Sequence, residues 1–145
     1  MAVKDNAGMK QTSLAIDLSG RRTRKRVLLD EMEQVVPWEQ LLALIEPHAP
    51  VAKTGRPPFA LAAMLRIHFM QQWFGLSDMA MEEALFDIPM YRDFAGLDGM
   101  ARLPDRVSIL RFRHLLEEHR LAEQFLATVN QQLAAKGYVA DTGSA

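Results

Sequence analysis

Apolar residues recur along this chain with the period of a helix, and no alternating run of useful length points to a strand. Leu28, Leu29, Met32, Val35 and Val36 stand at i, i+1, i+4, i+7 and i+8, which is one face of a helix. Pro37 stops that stripe, because proline lacks the amide hydrogen that a helix interior needs. It also suits the first turn of a following helix, where Trp38, Leu41, Leu42 and Ile45 form a second stripe that ends before Pro47. Residues 47–58, PHAPVAKTGRPP, hold four prolines and a glycine, a density that predicts an ordered loop or linker.

Residues 59–74 are apolar nearly all round, with Leu61, Met64, Leu65, Ile67, Phe69, Met70, Trp73 and Phe74, as the central helix of a bundle requires. Gly75 is its expected stop. Ser77 is placed to cap the next segment, SDMAMEEALFD, and Asp78 falls in the first turn, where the positive end of the helix dipole favours a carboxylate. Pro89 opens a short helix, PMYRDFAGL, and GLDGMARLP reads as a loop. Asp105 is placed to cap a helix over 106–119, and LAEQFLATVNQQLAAKG makes a last helix closed by Gly137. The pattern predicts an all-α fold: a multi-helix bundle of about six helices with helix-turn-helix-like elements, a flexible basic N-terminal arm and a disordered C-terminal tail. The expected division is a leader and arm over 1–26, a helical domain over 27–137 and a terminal stump over 138–145.

Composition changes this picture little: 49% hydrophobic and 24% charged residues are ordinary for a globular chain. The absence of cysteine excludes a disulfide framework, a thiolate metal site and a cysteine nucleophile, and fits a reducing compartment. No signal-type apolar stretch opens the sequence, so a cytoplasmic location is expected. Residues 59–74 include Arg66, His68, Gln71 and Gln72 and are too short and polar to span a bilayer, which leaves no membrane partner in prospect.

Charge changes it more. The net charge of −1 conceals a split: residues 1–66 carry ten Lys/Arg against seven Asp/Glu, and residues 67–145 carry seven against eleven. The basic half contains RRTRKR, where Arg21, Arg22, Arg24, Lys25 and Arg26 supply five cations in six positions. Such a run suits phosphate contacts on nucleic acid, the alternative being a solvated charge run. In 106–119, Ile109, Phe112, Leu115 and Leu116 share one helical face and leave Arg106, Arg111, Arg113 and His114 outside it. That helix suits insertion in a major groove, while Arg113 and Glu117 also form an ordinary i,i+4 surface pair.

Other side chains offer less. Asp78, Glu82, Glu83 and Asp87 lie at i, i+4, i+5 and i+9, but no histidine shares their spacing and a solvated acidic face accounts for them. His114 and His119 are five apart, His48 and His68 have no visible partner, and no catalytic histidine arrangement emerges. Asp141-Thr142-Gly143 has the form in which an aspartic protease presents its aspartate, yet it stands at the end of a helical chain without the flanking strands that chemistry needs.

Four blocks carry a specific resemblance: EMEQVVPWEQLLALIEPHAP, GRPPFALAAMLRIHFMQQWFGLSDMAMEEALFD, RDFAGLD and LPDRVSILRFRHLLEEHRLAEQF, with MKQTSLA from Met9 as a start. In order and content they resemble the N-terminal region of bacterial insertion-sequence transposases of the insertion-sequence five group, from Met9 to about Gly137. The resemblance implies a helical DNA-binding domain that recognises the terminal inverted repeats of a mobile element. In that family it precedes an RNase H-like domain whose Asp-Asp-Glu triad holds the divalent metal, magnesium, that serves DNA cutting and joining. Alignment with the family puts Gly143-Ser144 in the place of a Gly-Thr just before the first catalytic aspartate, with Asp141 upstream.

The chain is therefore expected to bind DNA without cutting it alone, with no catalytic residue, metal site or cofactor of its own. The expected DNA contacts are Arg21, Arg22, Arg24, Lys25, Arg26, Lys53, Arg56, Arg106, Arg111 and Arg113. The alternative is a helical oligomerisation module that inhibits full-length transposase, its partners being further copies of the chain or the intact enzyme.

Overall fold

The computed structural model describes residues 22–49 and 59–137, and these are all helical or connecting, with no strand among them. The helices are α1 (Arg24–Val35), α2 (Trp38–Ile45), α3 (Leu61–Phe74), α4 (Asp78–Asp87), α5 (Pro89–Ala95), α6 (Arg106–Glu118) and α7 (Leu121–Ala135). A 3-10 turn, Glu46–His48, follows α2. The all-α expectation holds. The chain divides into two compact units, one ending at Val35 and the other beginning at Val36.

In the first unit, α1 begins inside the basic run. The Thr23 hydroxyl accepts the Arg26 amide at 3.2 Å, and the Thr23 carbonyl accepts the Val27 amide at 2.9 Å, so Thr23 closes the helix start. Of the expected apolar stripe, Leu29 is buried and Leu28 and Met32 are half-buried, while Val35 is exposed.

In the second unit, α3 is the central helix, packing against α2, α4, α5 and α6. Its Ala63, Met64, Leu65, Ile67 and Met70 are buried together with Leu41 and Ile45 of α2, Met81 and Leu85 of α4, Tyr91 of α5 and Phe112 of α6. The ends of these helices follow the sequence. Gly75 takes φ 63°, a left-handed conformation that glycine adopts without a Cβ penalty, and closes α3 through its amide to the Gln71 carbonyl. Ser77 caps α4 by accepting the Ala80 amide at 3.1 Å, and Asp105 caps α6 by accepting the Ser108 amide at 2.8 Å. Arg120 joins α6 to α7 at φ 52°, a left-handed conformation that strains a side-chain-bearing residue.

Arginines inside the second unit serve packing. Arg66 lies 4.3 Å from the Trp38 ring centre and 4.9 Å from that of Phe94, and donates to the Phe94 carbonyl at 3.1 Å. Arg92 donates to the Leu85 and Phe86 carbonyls, both at 2.7 Å, and so satisfies the C-terminal end of α4.

Leu65 has no exposed surface at the centre of this packing. Leu65→Ala is expected to lower the unfolding free energy by about 2–5 kcal/mol, read by urea denaturation followed by circular dichroism. A loss below about 1 kcal/mol would show that the surrounding helices collapse into the space.

Candidate nucleic-acid interface

Arg21, Lys53 and Arg56 lie outside the described residues, as does Asp141 in the terminal stump. The other expected contacts fall into two sets, one in each unit.

The first set surrounds the start of α1. Arg24, Lys25 and Arg26 occupy its first turn, with no acidic residue there, and Arg22 precedes it. Arg22, Arg24 and Lys25 are exposed and Arg26 is half-buried. Arg22 pairs with Asp30 at 2.6 Å, but both side chains are about half exposed, and an ion pair of that kind contributes little and gives way to a competing anion. The amides of a first helical turn already present partial positive charge, and here three cations reinforce it rather than offset it. An anion beside this turn meets side-chain charge and amide donors together.

The second set, on α6, is not one cluster. Ile109, Phe112 and Leu116 are buried, and α6 runs antiparallel to α4 along one flank. On that flank, Arg113 makes a two-pronged pair with Asp78, Nη1 to Oδ1 at 2.5 Å and Nη2 to Oδ2 at 2.8 Å. Gln71 donates to Asp78 Oδ1 at 2.9 Å and to the Leu76 carbonyl at 3.3 Å. Arg113 also stands 3.9 Å from Glu117, the pair expected from sequence, but its closer partner comes from 35 positions away. One turn further along α4, Glu82 accepts the Arg106 amide at 3.0 Å. The start of α6 is thus held by two carboxylates, Glu82 and Asp105.

Helical spacing sets Val107, Arg111, His114 and Glu118 on the outward stripe of α6, and all four are exposed. Arg106 is exposed on the α4 flank, so the three arginines face different ways. The outward stripe of α4 carries Met79, Glu83 and Phe86, also exposed. Counting heads alone, this two-helix face is close to neutral. The acidic quartet of α4 is divided between tasks: Asp78 and Glu82 hold α6, and Glu83 and Asp87 face solvent.

Three of the four histidines find ring partners that spacing did not show. His48 stacks on His119 with ring centres 3.8 Å apart, bringing the 3-10 turn against the end of α6. His68 packs edgewise on Phe69 and Phe112, and burial pushes its pKa below the ordinary value.

The hydrogen bonds from Arg113, with Gln71 adding to them, hold the Asp78 carboxyl down at about 2 against an ordinary 3.8. Because the folded value is depressed, the stabilisation is complete above about pH 4 and is lost as pH falls through 2. It amounts to roughly 2 kcal/mol. Asp78→Asn is expected to lower stability by about that much at pH 7, and the gap between variant and parent should close as denaturation is repeated toward pH 2. A gap independent of pH would show that the carboxylate charge is not what holds α6.

Among the described residues no three His, Asp or Glu side chains gather as metal ligands would, and no helix is long and apolar enough to cross a membrane. The described residues are thus all-helical in their regular structure and carry exposed charge at the start of α1 and on the outward stripes of α4 and α6. The sequence profile of the transposase domain (DUF772) matches residues 17–115 of this chain, a stretch that takes in α1 through most of α6. The chain belongs to the transposase domain family. No solved structure matches it.

Proposed function

We propose that this chain is a DNA-contacting domain of a transposase of the insertion-sequence five group, that it binds the terminal inverted repeats of the element, and that Arg21, Arg22, Arg24, Lys25 and Arg26 hold the phosphates. The observation that carries the reading is the first turn of α1, where three cations and no acidic residue occupy the amide-donating end of the helix. Membership of the transposase domain family supplies the context in which DNA is the anion. Lys53 and Arg56 add charge of the same sign.

Helix α6 has weaker support as the base-reading element. Arg113 is engaged by Asp78, and Arg111 and His114 share their stripe with Glu118 beside the exposed Glu83 of α4. Arg106 and Arg111 are accordingly left outside the phosphate contacts of this proposal.

Mobility shifts of a duplex carrying the terminal inverted repeat, against a scrambled duplex, test the reading across a salt series. Five phosphate contacts predict that the logarithm of affinity falls with the logarithm of salt with a slope of about −4 to −5. Arg24→Ala with Lys25→Ala should reduce that slope by roughly 2, and Arg111→Ala should leave it nearly unchanged. Absence of binding at low salt sinks the proposal. Equal binding to the two duplexes removes its specificity for the repeat.

A further inference from the structure

Exposed large apolar side chains are few among the described residues, and three of them lie on two neighbouring helices: Met79 at 50% and Phe86 at 64% exposure on α4, and Val107 at 45% on α6. Scattered singly such residues mean little; gathered on one face they mark a surface that is covered in use. Their placement follows from the α4–α6 clamp. Asp78 meets Arg113 and Glu82 meets the Arg106 amide, so the two helices run antiparallel in fixed register. Met79 and Phe86, seven positions apart, share the outward stripe of α4, and Val107 and His114 share that of α6. On the outer edges of this face Glu83 of α4 and Arg111 of α6 are exposed, and two further exposed acids, Asp87 and Glu118, stand at the C-terminal ends of the two antiparallel helices, at opposite ends of the face.

We propose that this face binds a second copy of the chain, with Met79, Phe86 and Val107 at the centre and Glu83 of each copy paired with Arg111 of the other. The choice of occupant comes from charge complementarity. A closed pair of identical chains needs a surface that complements itself under a two-fold rotation. A two-fold axis lying between α4 and α6 and parallel to them lays α4 of one copy over α6 of the other, so the edge bearing Glu83 meets the edge bearing Arg111. The same rotation preserves height along the helices. From the clamp register, Glu83 lies near the level of Arg106 and Arg111 near the level of Met79, an offset of about 7 Å along the helix axis. The combined lengths of a glutamate and an arginine side chain span it. Apolar residues at the centre and charges at the rim are the usual anatomy of such a contact. This inference does not rest on DNA binding, and it gives the outward stripe of α6 a protein rather than a nucleic-acid partner.

Sedimentation equilibrium of the full 145-residue chain without DNA tests it. The expected result is a reversible dimer. Phe86→Glu should weaken it about tenfold or more, because a central aromatic residue carries a large share of such contacts. Its circular dichroism should be unchanged, since Phe86 is 64% exposed. Glu83→Arg and Arg111→Glu should each weaken the dimer a few-fold or more by setting like charges against each other, and the double variant should recover most of the parent affinity. A parent chain that stays monomeric at the highest attainable concentration overturns the proposal. So does a dimer indifferent to Phe86→Glu, or a double variant no stronger than the weaker single one.

Discussion

The Asp78 carboxylate ties together three elements of this domain. It sits in the first turn of α4, where the helix dipole favours it, and accepts from Gln71 at the end of α3 and from both terminal nitrogens of Arg113 on α6. Gln71 is 6% exposed, and it also donates to the Leu76 carbonyl, so the tight turn from α3 to α4 belongs to the same network. The side chains of Arg113 and Asp78 retain 29% and 22% of their exposure, which spares them most of the desolvation penalty of a fully buried pair. Two aligned hydrogen bonds nonetheless fix their geometry more firmly than a loose surface pair does. With Glu82 on the Arg106 amide one turn along, two carboxylates of one helix set both the distance and the register of another. The outward stripes of α4 and α6 are set by that register.

Much of the fold was legible because its signals are local. Ser77, Gly75, Pro89 and Asp105 act on backbone groups within a few residues, so their residue types alone located the helix boundaries. The long apolar run of 59–74 has no polar side to leave in water, and α3 accordingly lies at the centre. The seven helices among the described residues match the seven stretches that the sequence pattern marks, one more than the round estimate of about six, and Pro89 already set α5 apart from α4 although Ile88 alone separates them. The arm expected to extend through residue 26 also differs: Thr23 caps α1, which brings Arg24, Lys25 and Arg26 into its first turn.

The roles of individual charges were less legible, because they are settled by pairs distant in sequence. Glu117 was visible four positions from Arg113; Asp78, 35 positions away, was not, and it makes the shorter contacts. The His48 stack on His119 spans 71 positions and left no trace in spacing. Phe86 was hidden for another reason. In SDMAMEEALFD apolar residues occur on every side, and only the packing of α4 against α5 and α6 decides that Met81 and Leu85 are buried while Met79 and Phe86 are not.

The two proposed contacts reinforce each other energetically even though they use separate residues. A single basic arm binding through a handful of phosphates is weak and salt-sensitive, since most of its affinity comes from released counterions. Joining two chains through the α4–α6 face makes the second arm's contact intramolecular, and affinity then rises by the effective concentration that the linkage sets, without any new contact to DNA. The near-neutral charge of that face is consistent with this division: a strongly basic face would resist pairing with its own copy, whereas Glu83 opposite Arg111 favours it. Phosphate binding demands charge of one sign, and self-association demands charge of both. Here the first composition is concentrated in Arg21 to Arg26 and the second on the outward stripes of α4 and α6.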